Sequence, residues 1–286
     1  MRSMQWTDTG IFILVAGLAA LIFLFHVLPL RPQMWIYPLV RQATTAKVNY
    51  ETRQMQVKET AHFIIKYSQT DADVVEMVAQ AAEAAYEPVV EQVGNRPKGK
   101  SLILLHPDKS QLRQAFGWPG NESAMGVYWG GVIQLLSPKA WLHPQDTVED
   151  FIHSGPLVHE FTHLVFDYKT NGNYSRWFTE GLAQYVEYKV NGYEWKTATN
   201  HLTGKLYTMK ELEKDFDQLS NQSLAYRQSL ASIRYIAEVH GEDKLNRIIE
   251  GLEKGYSLSK MLETVLGMKA AAFEKEWQAW ALQNMI

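Results

Sequence analysis

The chain has 286 residues, of which 46% are apolar, and this is enough to bury a sizeable core in one or two domains. Its formal net charge of −3 leaves no basic footprint, so we expect no nucleic-acid partner. The absence of cysteine excludes disulfides and thiolate metal sites.

The first predicted element is an apolar run from Ile11 to Leu28 that only His26 interrupts. A helix over residues 11–28 covers about 27 Å, most of the hydrocarbon core of a bilayer. We interpret residues 1–30 as a transmembrane signal-anchor. The alternative, a cleaved signal peptide, is disfavoured because no small-x-small cleavage site comes after the run.

The charges around this run give conflicting signals for topology. Arg2 precedes it, whereas Arg31, Arg41 and Lys47 come after it, and the positive-inside rule would keep the C-terminal part of the chain in the cell. A signal-anchor with a basic start, however, normally exports the part of the chain on its C-terminal side. We expect a single-pass protein of the cell membrane with an extracytoplasmic globular part.

Residues 31–60 begin with Pro32 and Pro38 and continue with a polar stretch. We predict a membrane-proximal linker or a short helix here.

The next part of the chain alternates strand and helix patterns. Strands are predicted at His62–Tyr67, at Ser101–Leu105 and, as a hairpin or bulged strand, at Gly126–Leu136. Helices are predicted from the Asp71 cap to about Val93 and over Asp108–Phe116.

An H-E-x-x-H motif occupies His159 to His163. On a helix the two imidazoles share one face, with Cβ atoms roughly 5–6 Å apart, so both can bind one metal ion. Glu160 points about 100° away and can contact a metal-bound water. Pro156 suits the start of this helix and Gly172 a left-handed stop.

The helix is apolar nearly all round, which indicates that it is buried. Buried histidines and a glutamate are unfavourable unless a partner such as a divalent cation compensates them. The motif alone would arise by chance in roughly two chains per hundred of this length. Asp167, four residues after His163, is expected to be a solvated carboxylate at the helix end, with orientation of an imidazole as the alternative.

A third ligand candidate strengthens the metal hypothesis. Catalytic zinc generally takes three protein ligands and leaves one position open. Glu180 comes 17 positions after His163 and begins a second helical segment, so a helix-turn-helix would return it beside the first helix.

The pair HEFTH and WFTEGLAQY resembles the gluzincin metallopeptidases, relatives of thermolysin, and more closely the peptidase MA-like group of bacterial zincins. The resemblance implies one Zn²⁺ held by His159, His163 and Glu180, Glu160 as general base, and a peptide or protein substrate outside the cytoplasm. It covers residues 60–286 as a pattern. One departure is Gln184, where thermolysin-like enzymes carry an aspartate.

The resemblance also implies an α+β zincin-like domain over residues 61–286. Its N-terminal lobe, residues 61–172, would hold a small mixed sheet, and residues 173–286 a helical lobe. An edge strand lies along the cleft in such lobes, and our candidate is Val132–Leu136, with an ordinary core strand as the alternative. Tyr226 is the candidate hydrogen-bond donor to the oxyanion, and the alternative is a packed tyrosine.

Helical spacing continues to the end of the chain. The five further predicted helices are Thr208–Leu219, Ser223–Val239, Asp243–Leu252, Ser257–Leu266 and Ala271–Leu282.

The sequence therefore predicts a membrane-anchored zinc metalloendopeptidase. One alternative is a zincin-fold binding or scaffold protein that has lost catalysis. Another, an intramembrane protease, is disfavoured because the flanks of the motif are polar and the apolar run lies far upstream.

Overall fold

The computed structural model describes residues 31–120 and 124–285. The transmembrane segment predicted at residues 11–28 lies outside these ranges and stays a prediction. Within the described ranges, none of the helices has both the length and the apolar character that a bilayer crossing requires.

The described residues form an α+β fold with eleven α-helices and a five-stranded sheet. The strands are β1 (Gln56–Glu59), β2 (Phe63–Tyr67), β3 (Ser101–His106), β4 (Gly126–Trp129) and β5 (Val132–Leu136). The helices are α1 (Gln33–Glu51), α2 (Val75–Val93), α3 (Lys109–Phe116), α4 (Val148–Ser154), α5 (Leu157–Thr170), α6 (Arg176–Asn191), α7 (Met209–Lys214), α8 (Gln222–Tyr235), α9 (Glu242–Glu253), α10 (Leu258–Leu266) and α11 (Ala270–Asn284).

The sheet has the strand order β1-β2-β3-β5-β4. Strands β2, β3 and β5 are parallel, and β1 and β4 pair antiparallel at the two edges. The predicted hairpin is confirmed, because Gly130 and Gly131, with φ of 53° and 88°, form a two-residue turn between β4 and β5.

The prediction that Val132–Leu136 is the edge strand is wrong. This strand, β5, pairs with β3 on one side and β4 on the other, and all five of its residues are buried. A strand whose residues are all buried is typical of a sheet that is covered on both faces. The glycine turn places β4 outside it, and β4 is therefore the edge strand nearest α5.

The main core lies between one face of the sheet and helices α2 and α5. Phe63 of β2 packs edge-on against Phe161 of α5, with ring centroids 5.2 Å apart, and Tyr86 of α2 stacks on the same ring at 5.4 Å. This contact of three aromatic rings fixes α5 beneath the sheet. On the opposite face, Leu104 belongs to a smaller buried cluster with Val48 of α1.

Of the two expectations for residues 31–60, the linker is wrong and the helix is correct in kind, because this segment folds as the 19-residue helix α1 and the edge strand β1. Val48 is buried against the sheet, and Arg41 is only 8% exposed and pairs with Asp167 of α5. The buried residues Arg41 and Val48 are seven positions apart on α1, and most residues between them are polar. The sequence therefore showed no clear amphipathic pattern here. Residues 31–60 therefore belong to the globular fold.

The helical C-terminal part agrees with the prediction, and α7 to α11 each overlap a predicted segment. Helices α6 and α8 come especially close at Gly181, where an added Cβ would lie 2.3 Å from the carbonyl oxygen of Ser229. Helix α8 therefore holds α6, the helix that carries Glu180, against the rest of the fold.

Candidate active site

Helix α5 carries the two motif histidines. It begins directly after Pro156, and it ends at Asn171, a left-handed residue with φ of 50°, one position before the predicted glycine stop. The rings of His159 and His163 have centroids 4.8 Å apart and stand at 79° to each other. The four-residue spacing therefore places both imidazoles on one side of the helix, as predicted.

Helix α6 adds the third candidate ligand. Glu180 is 2% exposed, and its Oε2 lies 3.2 Å from Nε2 of His159 and 3.5 Å from Nε2 of His163. One potential ligand atom from each of the three residues lies within 4.8 Å of the others. The structure thus brings together the three residues that the sequence predicted as metal ligands.

Two residues that sequence reasoning missed contact the other ring nitrogens. Nδ1 of His163 lies 2.7 Å from the hydroxyl of Thr179, and Nδ1 of His159 lies 3.4 Å from Oε2 of Glu187. Such partners orient metal-binding imidazoles and leave Nε2 free for the metal. Glu187 lies seven positions after Glu180, two helical turns, and this spacing was the available signal.

Gln184 does not replace the aspartate of thermolysin-like enzymes. Its amide nitrogen donates to the backbone carbonyls of Glu180, at 3.2 Å, and Tyr226, at 2.9 Å. The side chain therefore ties α6 to α8. Glu187, one turn further on, is the carboxylate that reaches His159.

If Glu187 orients His159, Glu187→Gln is expected to weaken Zn²⁺ affinity by about 10- to 100-fold, since loss of such an outer partner typically has this effect. Titration against a competing chelator measures it. Glu91→Gln, which changes an exposed glutamate of α2, is the matched control. Equal affinities for the two variants would contradict this role of Glu187.

Glu160, the candidate base, is 6% exposed and lies between α5 and β4. Its Oε2 accepts a 2.7 Å hydrogen bond from the backbone N–H of Tyr128 on the edge strand. Burial raises the pKa of Glu160, and the neighbouring imidazoles oppose that increase only in part. A raised pKa suits a group that must take up and release a proton.

Gly126 allows β4 to approach Glu160 closely. A Cβ at this position would lie 2.7 Å from Cγ of Glu160 and 2.9 Å from Cβ of Pro156. Contacts this short require one of the two elements to move. The glycine therefore sets the separation of the edge strand from α5.

Gly126→Ala is expected to reduce the free energy of unfolding by about 1–3 kcal/mol through overpacking. Displacement of Glu160 should also lower kcat/KM by about 10- to 100-fold, because reacting groups tolerate little misplacement. Urea unfolding and peptide turnover measure the two effects. Gly204→Ala is the control, since an added Cβ there would meet no described atom within 4 Å.

Asp167 has neither of its predicted roles, because it is completely buried and its carboxylate binds residues other than the histidines. It accepts from Nη1 of Arg41 at 3.0 Å, from the hydroxyl of Tyr128 at 2.6 Å and from that of Tyr174 at 3.0 Å. Burial raises the pKa of Asp167, although Tyr128 and Arg41 oppose the increase. Tyr128 thus contacts α5 twice, at Glu160 and at Asp167.

Arg176, one turn before Glu180, was not predicted from the sequence. Its guanidinium makes a close ion pair with Oε1 of Glu180, which leaves Oε2 directed at the histidines, and Nε lies 3.2 Å from Oδ1 of Asp217. Burial alone would raise the pKa of Glu180, but Arg176 and the imidazoles outweigh it and hold that pKa well below its ordinary range. Glu180 therefore stays ionised.

Tyr226 lines the same cleft as the histidines, as the prediction requires. Its hydroxyl accepts a 3.3 Å hydrogen bond from Nη2 of Arg176, and its ring contacts Phe216 and Trp195 edge-on. Burial, together with the charge of Glu180, raises the pKa of Tyr226, so the phenol stays protonated. It keeps a proton to donate, although the oxyanion role itself stays a prediction.

The site opens into a cleft with a volume of about 1400 Å³. Arg176 and Tyr226 line it beside the metal-ligand candidates, and β4 supplies residues 126–129. Helices α1 and α3 line another part of the cleft, where α1 contributes Tyr37 and Thr44 among others. A cleft of this volume has room for a segment of peptide.

The charges of the site fit a divalent cation. Glu160, Glu180 and Glu187 surround the histidines, and Arg176 is the cation paired with this group. With neutral imidazoles, the three carboxylates outnumber the single guanidinium of Arg176, which also pairs with Asp217, and a divalent cation such as Zn²⁺ would reduce this excess of negative charge. Two imidazoles and a carboxylate are also the donor set of many catalytic zinc sites.

Residues 149–283, which include every candidate ligand, match the family model described as the Peptidase MA superfamily. The predicted family resemblance is confirmed. The matched segment begins in α4 and ends in α11, so it contains both site helices and most of the helical C-terminal part. No curated protein sequence matches the chain.

One solved structure similar to this chain is a mutant M1 zinc metallopeptidase from Deinococcus radiodurans, with 12% sequence identity and a TM-score of 0.39. The match covers 77% of this chain and 50% of that protein. The chain thus spans half the length of this structural neighbour.

Proposed function

We propose that the chain is a zinc-dependent metallopeptidase that hydrolyses peptide bonds. The observation that carries this proposal is the convergence of His159, His163 and Glu180 around one point, with Glu160 buried beside them. The match to the Peptidase MA superfamily supports it. We also propose that residues 11–28 anchor the enzyme in the cell membrane with the cleft outside the cytoplasm, which rests on the sequence.

The two imidazoles and Glu180 would hold a zinc ion, which would supply a Lewis acid that acidifies water. Glu160 accepts a proton from the attacking water and delivers it to the nitrogen of the leaving amine. The N–H of Tyr128 holds the Glu160 carboxylate in place between the two transfers. Thr179 and Glu187 keep the imidazoles aligned.

Two further parts of the cleft complete the proposed mechanism. The outer edge of β4 pairs with the backbone of an extended substrate, as strand addition to an open sheet edge does elsewhere. The phenol of Tyr226, kept protonated by burial, donates to the oxygen that becomes negative during attack. Arg176 lies beside that phenol and fixes its position.

Metal removal tests the proposal. The purified full chain is expected to bind one zinc ion and to cleave members of a peptide library. A chelator should abolish cleavage, and added Zn²⁺ should restore it. Glu180→Ala should lose the zinc, because two imidazoles alone make a weak site. A zinc-loaded chain that cleaves neither casein nor the library would overturn the proposed activity and favour a binding protein on the same fold.

A further inference from the structure

The side of α1 that faces away from the fold is apolar over residues 35–46, and Lys47 then lies on it before Tyr50. Its exposed apolar residues recur at spacings of three and four, which puts them on one face of the helix. They are Trp35, Ile36, Leu39, Val40, Ala43, Ala46 and Tyr50. Trp35, Leu39 and Tyr50 are 68%, 63% and 69% exposed, whereas Arg41 and Val48 on the opposite side are buried.

Soluble surfaces rarely expose a continuous row of large apolar side chains without a partner. The position of α1 in the chain indicates which partner this is. The apolar run that we propose as the anchor ends at Leu28, and α1 begins at Gln33. Five residues span at most about 18 Å, so the start of α1 lies next to the point where an anchor would leave the bilayer.

The charges and aromatic residues of α1 also suit a lipid surface. Arg31 and Arg53 lie beyond the two ends of the apolar face and Lys47 lies on it, against the single acid Glu51, and such basic residues attract anionic headgroups. Trp35 near the start of the helix is a residue typical of the membrane interface. A second copy of the chain is a poorer partner. Helix α1 spans fewer than three heptads, and the Lys47 side chains of the two copies would approach each other.

We propose that the outward face of α1 lies in the headgroup region of an anionic bilayer, parallel to the membrane surface. The same helix lines the cleft through Tyr37 and Thr44, so the mouth of the cleft is held close to the lipid. Peptide segments next to the membrane are then the accessible substrates. The surface contact rests on the proposed anchor, and only the substrate class rests on the proposed peptidase activity.

The absence of cysteine allows a direct test, because Leu39→Cys creates a unique thiol on the exposed face. The full chain carrying a nitrobenzoxadiazole label at this thiol is reconstituted in vesicles of phosphatidylcholine and phosphatidylglycerol. Doxyl-labelled lipid is expected to quench this label by roughly twofold or more, since the apolar face of an interfacial helix sits among the headgroups and upper acyl chains. A label at Glu91→Cys, an exposed position of α2 on the other side of the sheet, should be quenched by aqueous iodide instead.

Two results would overturn the proposal. Equal iodide quenching at both labels would show that the face is in water. A Leu39→Cys label protected from both iodide and doxyl lipid would show that protein covers it, either residues 1–30 or a second copy. The experiment repeated without zinc should give the same values, so the lipid contact and the peptidase activity can fail separately.

Discussion

Glu160→Gln is expected to lower kcat/KM for peptide hydrolysis by about 10²–10⁴-fold, the usual contribution of a general base. The amide cannot accept the proton of the attacking water. It keeps the volume of the carboxylate, and its oxygen can still accept from the N–H of Tyr128. Zinc should stay bound, because Glu160 is adjacent to the metal ligands and is not one of them.

The measurement combines peptide turnover with metal content on the same preparation. Glu149→Gln, which changes an exposed glutamate of α4, is the control for the loss of one negative charge and should retain activity. Unchanged turnover in Glu160→Gln with full zinc occupancy would remove Glu160 from the mechanism. Loss of both zinc and activity would instead assign Glu160 a role in the metal site.

Arg41→Met is expected to reduce the free energy of unfolding by about 3–5 kcal/mol, because it leaves Asp167 as a buried charge without its cation. Chemical denaturation measures this loss. Lys47→Met on the same helix is the control, since Lys47 is exposed and lies 3.9 Å from the exposed Glu51. A pair of this kind contributes under about 1 kcal/mol.

The loss should depend on pH. Burial already raises the pKa of Asp167, and removal of Arg41 raises it further. A carboxyl group with a raised pKa in the folded state stabilises the fold while protonated and loses that stabilisation as the pH rises through this pKa. Arg41→Met should therefore be less stable relative to the wild type at pH 8 than at pH 5. Adding Asp167→Asn should recover part of the loss at pH 8, and a deficit independent of pH would contradict this account.

The metal-ligand candidates were predictable because their geometry is local. His163 comes four positions after His159 on one helix, and a short connection returns Glu180 beside it. Glu187 was accessible by the same reasoning, since its seven-residue spacing from Glu180 places it on the same face of α6. The spacing of residues within α5 and α6 is therefore sufficient to predict most of the metal site.

The errors concern contacts between segments that are distant in the sequence. β5 looked like an edge strand because its pattern does not reveal that β4 folds back outside it. Asp167 looked solvated because its main partner, Arg41, precedes it by 126 positions. Residues 31–60 looked like a linker for the same reason, since their inward side chains have partners only in the folded domain.

The ion pair between Arg41 and Asp167 has a practical consequence for protein production. Shortened versions of a protein with a proposed anchor are commonly designed to begin after the stretch that resembles a tether, which here would be near residue 61. Such a version would lack α1 and Arg41, expose the sheet face that Val48 covers, and leave Asp167 charged inside α5. Versions that begin at Arg31 should fold, whereas those that begin at residue 61 should aggregate.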